Sequence, residues 1–141
     1  MGSEETQRVV DELYGAFVRG EPEGMLATFA DDIQFRFLGQ IEATGIDAAR
    51  RFITDAAGKL TDLNFTILHT VIDGDRAAVT WSETARTAAG AEWVNHGVDV
   101  IEVRDGRVSS LHENNDVRLV YEHLGLPGRA PEVGGSQQAG V

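Results

Sequence analysis

The residues that most constrain this fold lie between positions 93 and 115, where two strand-forming runs flank the turn Arg104-Asp105-Gly106-Arg107. Both runs are rich in β-branched residues, and Asp-Gly between such runs is among the strongest short-range signals for a β-hairpin. The runs also carry polar side chains within their strands, namely Asn95, Asp99, Glu113 and Asn115. The segment therefore predicts a long hairpin that carries chemically useful groups.

The register of this hairpin decides which face those four polar residues occupy, because a slip of one residue moves a whole strand's side chains to the other face. A two-residue turn would place Asp99 opposite His112, and a His–Asp dyad would then form the site. A three-residue turn, with Gly106 as a left-handed bulge, would place Asp99 opposite Leu111. Only the second register puts all four polar residues on one surface, so it is the register we expect.

Composition limits both the class of protein and its partners. A chain of 141 residues without a long apolar run predicts a single domain, which we place at residues 1–126, followed by a flexible tail at 127–141 rich in Gly, Pro, Ser and Gln. The net charge of −11 disfavours nucleic acid and anionic membranes as partners. The acidic N-terminus resembles neither a secretory signal nor a transit peptide, so we expect a cytoplasmic protein. Cysteine is absent, and no phosphate, nucleotide or zinc motif is present, so we expect neither a cofactor nor a metal.

The remaining segments predict a helix, a helix, a strand and a helix, followed by four strands. Ser3 is expected to cap the first helix, and Pro22 suits the first turn of the second. In the strand after Arg76, residues Val79, Trp81 and Glu83 share one face, which puts Glu83 on the apolar side. This order favours an α+β fold in which a curved antiparallel or mixed sheet packs on three N-terminal helices.

Four segments carry a family resemblance. They are FADDIQFRF at residues 29–37, TGIDAARRFI at 44–53, VDVIEVRDGRVSSLHENND at 98–116 and the expected short helix VRLVYEHLG at 117–125. Together they resemble the nuclear transport factor 2-like superfamily, which includes ketosteroid isomerases, SnoaL-like polyketide cyclases, limonene-epoxide-hydrolase relatives and non-catalytic binders. The resemblance implies a cystatin-like cone, in which the curved sheet wraps around the helices and encloses a deep, mostly apolar cavity.

Two members of that superfamily resemble this chain residue by residue. Tyr14 and Asp99 fall where ketosteroid isomerase has its oxyanion-hole donors, whereas Phe37 stands where that enzyme has its general base. Glu113 resembles the catalytic carboxylate on the last strand of limonene epoxide hydrolase. The inner-strand Arg–Asp pair of that hydrolase corresponds here to Trp81 and Glu83, so the acid remains and the arginine does not.

These patterns predict a cofactor-independent acid–base enzyme of the cyclase, isomerase or lyase type, acting on a small hydrophobic metabolite that is polyketide- or terpenoid-like. The expected catalytic residues are Asp99, Glu113, Glu83 and Tyr14. The expected substrate-binding residues are Trp81, Asn95, Asn115, Phe35, Phe37 and Ile101. Buried carboxyl groups that lie close together cannot all ionise, so such a set supplies an acid and a base together.

Three alternatives remain open at the level of sequence. The chain could be an epoxide hydrolase of the limonene-epoxide-hydrolase type, or a non-catalytic ligand-binding or dimerisation module. Glu83 and Glu113 could also lie near strand ends and reach water, in which case they would only keep the protein soluble. The sheet face opposite the cavity carries Val94, Val98, Val100 and Val108, and this apolar strip predicts a homodimer.

Overall fold

The structure of this chain, a computed structural model, describes residues 2–37 and 41–115. The expected short helix at 117–125, the domain end at 126 and the tail at 127–141 lie outside these ranges. In chain order, the elements are α1 (Ser3–Val18), α2 (Pro22–Leu26), β1 (Phe29–Phe37), β2 (Ile41–Thr44), α3 (Ile46–Ala57), β3 (Leu60–Asp73), β4 (Arg76–Thr87), β5 (Glu92–Arg104) and β6 (Arg107–Asn114). Among the described residues, no helix has the length and apolar content that a membrane crossing requires.

Helix α1 is amphipathic, and its apolar face packs against the sheet. Its buried residues recur at helical spacing: Thr6, Val9, Val10, Leu13, Tyr14 and Ala16. The expected cap at Ser3 is wrong, because the helix begins at Ser3 and Gly2 occupies the cap position without a side-chain hydrogen bond. Thr6 anchors this end instead, since its hydroxyl donates a 2.6 Å hydrogen bond to the carbonyl oxygen of Gly74 in the β3–β4 turn. Pro22 stands at the start of α2, as expected.

The six strands form one curved, unclosed mixed sheet in the order β2-β1-β6-β5-β4-β3. Strand β1 runs parallel to β6, and the other neighbouring pairs are antiparallel. The expected α+β fold with helices on one face of a curved sheet is confirmed. The sequence prediction missed β2, because four residues are too few for a period-two pattern to show.

The hairpin between β5 and β6 turns through two residues, Asp105 and Gly106, which both have positive φ, at 54° and 75°. Val103 faces Val108 on either side of this turn. The expected three-residue turn is therefore wrong. Asp105-Gly106 follows the ordinary preference of two-residue hairpin loops for residues that tolerate the left-handed region.

A β-bulge one step further along the hairpin determines the faces of β6. Ser109 is the extra residue: the pairs on either side of it are Val103 with Val108 and Glu102 with Ser110. One extra residue reverses the alternation of faces, so beyond the bulge Asp99 faces Glu113 directly. Neither expected register gave this pair. The four polar residues still share the inner face as expected. A two-residue turn alone would have put Glu113 and Asn115 on the outer face, and the extra residue in the bulge returns them to the inner one.

The core lies between the inner sheet face and the helices. Its fully buried members include Val9, Leu13, Phe29, Ile33, Val79, Ile101 and Val108. The outer face carries a shorter apolar strip than expected. Val94 and Val100 are 57% and 42% exposed, and Val98 is half-buried. Val108 was expected there but is fully buried, because it precedes the bulge and faces inward opposite Val103.

Candidate functional site

A cavity of about 270 Å³ lies between the helices and the inner face of the sheet. Its walls are mostly apolar and aromatic, and its polar groups are few. The side chains that supply its chemistry are Tyr14, Trp81, Glu83, Trp93, Asn95, Asp99, Glu113 and Asn115. A concave apolar cavity with a few convergent polar groups is the usual form of a small-molecule site, although this volume lies just below the usual range of about 300–1,000 Å³.

The three carboxyl groups come from three adjacent strands. Glu83 is on β4, Asp99 on β5 and Glu113 on β6, and all three line the cavity. Asp99 lies opposite Val79 on one neighbouring strand and opposite Glu113 on the other. Directly opposed residues in antiparallel strands project to the same face, and the sheet therefore gathers the three carboxyl groups on its inner surface.

Asp99 is the most enclosed of the three carboxyl groups. Tyr14 on α1 donates a hydrogen bond from its hydroxyl to Oδ2 of Asp99, and both side chains are buried. Burial raises the pKa of Asp99 to about 6, and the charge of Glu83 adds to the rise, while the hydrogen bond from Tyr14 and the nearby indole of Trp81 oppose it. Burial and the charge of Asp99 raise the pKa of Tyr14, which stays a neutral phenol. At neutral pH Asp99 is therefore a carboxylate that can take up a proton.

Glu113, opposite Asp99, has a strongly raised pKa. Burial raises its pKa well above the usual range of a glutamate, and the charges of Asp99 and then Glu83 raise it further. Asn115 donates a 3.0 Å hydrogen bond from Nδ2 to Oε2 of Glu113. A neutral Glu113 beside an ionised Asp99 gives the cavity an acid and a base from two opposed residues.

Glu83 is held in place by donors. The indole nitrogen of Trp93 donates a 2.8 Å hydrogen bond to Oε2 of Glu83. Burial raises the pKa of Glu83, and the Trp93 and Asn95 side chains lower it in part. Asn95 is oriented by its own Oδ1, which accepts a 2.9 Å hydrogen bond from the backbone N–H of His96 and leaves the amide nitrogen for the cavity.

Four buried polar atoms have no well-formed hydrogen bond within the described residues. They are Trp81 Nε1, Asn95 Nδ2, Asp99 Oδ1 and Asn115 Oδ1. All four belong to residues that line the cavity. Most buried polar groups in proteins are satisfied, so a cluster of unpaired ones around a cavity indicates the groups that meet a ligand.

The structure brings nine of the ten residues expected from sequence to this cavity: Tyr14, Phe35, Phe37, Trp81, Glu83, Asn95, Asp99, Glu113 and Asn115. The tenth, Ile101, is not part of the lining, because it is fully buried in the core. His112, the partner of Asp99 in the alternative register, faces Val100 instead. Alternation along one strand cannot distinguish a wall residue from a core residue, because both point inward.

Sequence reasoning missed two groups of residues. Trp93 was not expected to bind Glu83, although it lies two positions from Asn95 and must share its face. The rings of Phe17, Phe52 and Phe65 also line the cavity. Phe65 shows the signal that could have identified it, since it alternates with polar neighbours in β3 and faces Glu83.

Gly97 is a third missed position, and its function is steric. A Cβ there would lie 2.2 Å from the carbonyl oxygen of Asn114 and 2.9 Å from the indole ring of Trp81. Gly97 on β5 lies opposite Trp81 on β4. Because glycine has no side chain, the indole ring of Trp81 fits into the space beside it. A lone glycine inside a strand often marks such a close approach.

Within residues 2–37 and 41–115, no group of three or more His, Asp or Glu side chains is arranged to hold a metal ion. The expectation that the chain needs neither metal nor cofactor stays a prediction.

Solved structures of other proteins share this fold. An NTF2-like protein of unknown function from Burkholderia pseudomallei has 19% identity and a TM-score of 0.77, covering 85% of this chain and 97% of that one. A protein from Jannaschia sp. CCS1, described provisionally as a SnoaL-like polyketide cyclase, has 15% identity and a TM-score of 0.77, with 89% and 94% covered. A Catenulispora acidiphila protein with a ketosteroid isomerase-like fold, solved with trimethylamine, has 16% identity and a TM-score of 0.70, with 84% and 93% covered. At these identities the likeness concerns the fold alone.

Comparison with curated proteins gave no significant match. The family model of the SnoaL-like domain matches residues 10–111, which include the cavity-lining parts of α1 and of strands β1, β3, β4 and β5. That match covers most of the chain, and the resemblance expected from its sequence is confirmed. This chain therefore belongs to the SnoaL-like family.

Proposed function

We propose that the chain is a cofactor-independent acid–base enzyme of the cyclase, isomerase or lyase type that acts on a small hydrophobic metabolite, polyketide- or terpenoid-like. The observation that carries this proposal is the opposed pair of Asp99 and Glu113 in one apolar cavity, where burial raises the pKa of both and the charge of Asp99 raises that of Glu113 further. Groups with such shifts in a concave site are characteristic of catalytic acids and bases.

The geometry supports a distinct role for each group. Asp99, whose pKa is about 6, is the base that removes a proton from a carbon beside a carbonyl or from a hydroxyl. Glu113 is the acid that donates its proton to the oxygen on which negative charge develops. After the step Asp99 holds the proton taken from the substrate, and Glu113 is ionised because it has given its own proton to the substrate oxygen. The net charge of the cavity is unchanged.

Tyr14 and Glu83 support this pair. Tyr14 has a single O–H, which it donates to Asp99, so it positions the ionised base rather than the substrate. Glu83 is fixed by the indole of Trp93, and its charge raises the pKa of both Asp99 and Glu113. Removing Glu83 should therefore shift the pH dependence of the reaction without removing either reacting group.

The alternative enzymatic reaction is the opening of an epoxide by water, and fewer observations support it. The cavity has a carboxyl pair that could activate water and protonate an epoxide. The hydrolase's orienting arginine is replaced here by Trp81, and no arginine lines the cavity in the described part of the chain. The proposal from another class, a non-catalytic ligand-binding module, predicts binding without proton transfer.

The test is exchange of the α-protons of small cyclic ketones and 1,3-diketones in D₂O, followed by NMR. The wild type should accelerate exchange, and Asp99→Asn should reduce the acceleration about 100-fold or more, the usual contribution of a general base. Glu92→Gln removes a carboxylate from the exposed start of β5 and should exchange like the wild type. Binding without any accelerated exchange would favour the ligand-binding module.

A further inference from the structure

The cavity contains acidic side chains but no basic ones in the part of the chain that the structure describes. Its charged lining residues are Glu21, Glu83, Asp99 and Glu113. Arg19 pairs with Glu21 at the surface, at a distance of 3.0 Å. The three deeper carboxyl groups form no ion pair with any described Lys, Arg or His. No basic group among the described residues therefore balances the charge of those that are ionised.

An unpaired acceptor atom points to the kind of ligand that would compensate this charge. Asp99 is only 5% exposed, and its Oδ1 has no hydrogen-bond partner among the described residues. Oδ1 of Asn115, beside Glu113, is likewise unpaired. A carboxylate oxygen accepts hydrogen bonds and cannot donate them, so the ligand group that meets Asp99 must be a donor.

The two unpaired donors make a weaker demand on a ligand. The indole of Trp81 already lowers the pKa of Asp99, and the side chain of Asn95 already lowers the pKa of Glu83. Each donor therefore interacts with a carboxyl group of the cavity, although neither forms a well-formed hydrogen bond with any described residue. Each of these contacts also uses part of the accepting capacity of that carboxyl group, so what the described lining lacks altogether is a positive charge.

Aromatic rings flank the carboxyl groups on both sides. The acids occupy the adjacent strands β4, β5 and β6, and rings project into the cavity from β1 beyond one side and from β3 beyond the other. Phe35 and Phe52 form one wall, with ring centroids 5.1 Å apart. Phe65 and Trp81 form the other, with centroids 5.4 Å apart. Aromatic faces attract cations, and walls of this kind with carboxylates between them suit an organic ammonium group.

We propose that the ligand of this cavity is a small, mostly apolar molecule that carries a protonated amine with at least one N–H. The ammonium group lies among the three carboxyl groups and donates to Oδ1 of Asp99, and the apolar body packs against the aromatic walls. This inference rests on the proposed function for the location of the substrate site, and it names the substrate class that the enzyme would take.

Charge explains why an amine would be preferred to a neutral or acidic molecule of the same shape. A neutral ligand would displace water and leave buried carboxylates without a counter-charge, which is costly. An anion would add repulsion to the same groups. The net charge of −11 on the whole chain also attracts cations toward the protein.

The affinity for an amine should depend on pH. Asp99 is faced by Tyr14 from α1, by Glu83 and Trp81 from β4 and by Glu113 from β6, and no described basic group is among these neighbours. Lowering the pH through about 6 protonates Asp99 and removes the charge that the ammonium meets. Amine binding should therefore weaken from pH 7.5 to pH 5, and at pH 7.5 it should release protons from Glu113.

The experiment uses three probes of similar size on the full chain, by calorimetry at pH 7.5 and pH 5. They are N,N-dimethylbenzylamine, which is a cation with one N–H, the neutral N,N-dimethylbenzamide and the anion phenylacetate. The amine should bind about tenfold or more tightly than the amide, as a cation–π contact and a charged hydrogen bond together require. Phenylacetate should bind most weakly, and the preference for the amine should fall at pH 5.

Variants separate the cavity's charge from the charge of the whole chain. Asp99→Asn should lose most of the preference for the amine, whereas Glu92→Gln, which removes one carboxylate outside the cavity, should keep it. Benzyltrimethylammonium has the charge without the N–H and should bind more weakly than the tertiary amine.

Four results would overturn the inference: equal affinity for amine and amide, tighter binding of phenylacetate, equal affinity for the quaternary and tertiary cations, or no binding of any probe. Proton exchange from ketones by the wild type would leave the proposed enzyme standing in each case. Amine binding without any proton transfer would support this inference and count against catalysis.

Discussion

Asp99→Asn should change how the stability of the protein depends on pH. The pKa of Asp99 rises from its ordinary 3.8 to about 6 on folding, chiefly through burial. Each pKa unit corresponds to about 1.4 kcal/mol, so ionised Asp99 costs the folded state about 3 kcal/mol relative to its protonated form. The native state binds the proton more tightly than the unfolded state, and stability is therefore lost as pH rises from about 4 through 6. Asparagine cannot ionise and avoids this loss.

The assay is urea unfolding of the wild type and Asp99→Asn at pH 4, 5, 6, 7 and 8, with Asp31→Asn at an exposed site as the matched control. The free energy of unfolding of the wild type, relative to Asp99→Asn, should fall by up to about 3 kcal/mol between pH 4 and pH 8. Coupling to Glu113 reduces this figure, because removal of one charge lowers the pKa of the other. A constant difference across the pH range would refute the reasoning. So would a fall of the same size when the wild type is compared with Asp31→Asn, which keeps Asp99.

Three further predictions follow from individual contacts. Trp93→Phe removes the donor to Glu83, so NMR titration should show the pKa of Glu83 rising further, and an unchanged value would count against that hydrogen bond's role. Gly97→Ala should destabilise the protein by about 2 kcal/mol or more in urea unfolding, because its Cβ would lie 2.2 Å from the carbonyl oxygen of Asn114; wild-type stability would contradict the close packing. The strip on the outer sheet face predicts a homodimer in sedimentation analysis that Val100→Glu converts to a monomer, and a wild-type monomer at micromolar concentration would exclude it.

Much of the fold could be predicted because local signals and long-range pairing agree. Ile33, Phe35 and Phe37 alternate with polar residues, and the Asp105-Gly106 turn marks its hairpin without tertiary information. The bulge at Ser109 could not be predicted in the same way. Its sequence, Val-Ser-Ser-Leu, continues a plausible alternation in either phase, and only pairing with Glu102 and Val103 on β5 makes one serine extra.

The candidate site was predictable in membership and less so in contacts. Alternation placed Glu83 and Asp99 on one inner face, because the period of a strand is two. It could not indicate that Asp99 faces Glu113, since that pair depends on the bulge, nor that Trp93 donates to Glu83. Ile101 was expected in the cavity wall but lies in the core. How deep a residue lies below the cavity surface depends on the packing of helices from elsewhere in the chain, which the alternation of a strand does not show.

The central claim is that Asp99, Glu113 and Glu83 form one coupled group in an apolar cavity. Carboxyl-carbon NMR titration of the wild type, Asp99→Asn and Glu113→Gln tests it most directly. Glu113 should titrate well above the usual range of a glutamate and Asp99 near pH 6. Asp99→Asn should lower the pKa of Glu113, because it removes a neighbouring negative charge that raises it, and Glu113→Gln should remove the high titration. Three independent titrations near the ordinary values, unchanged by either substitution, would contradict the account.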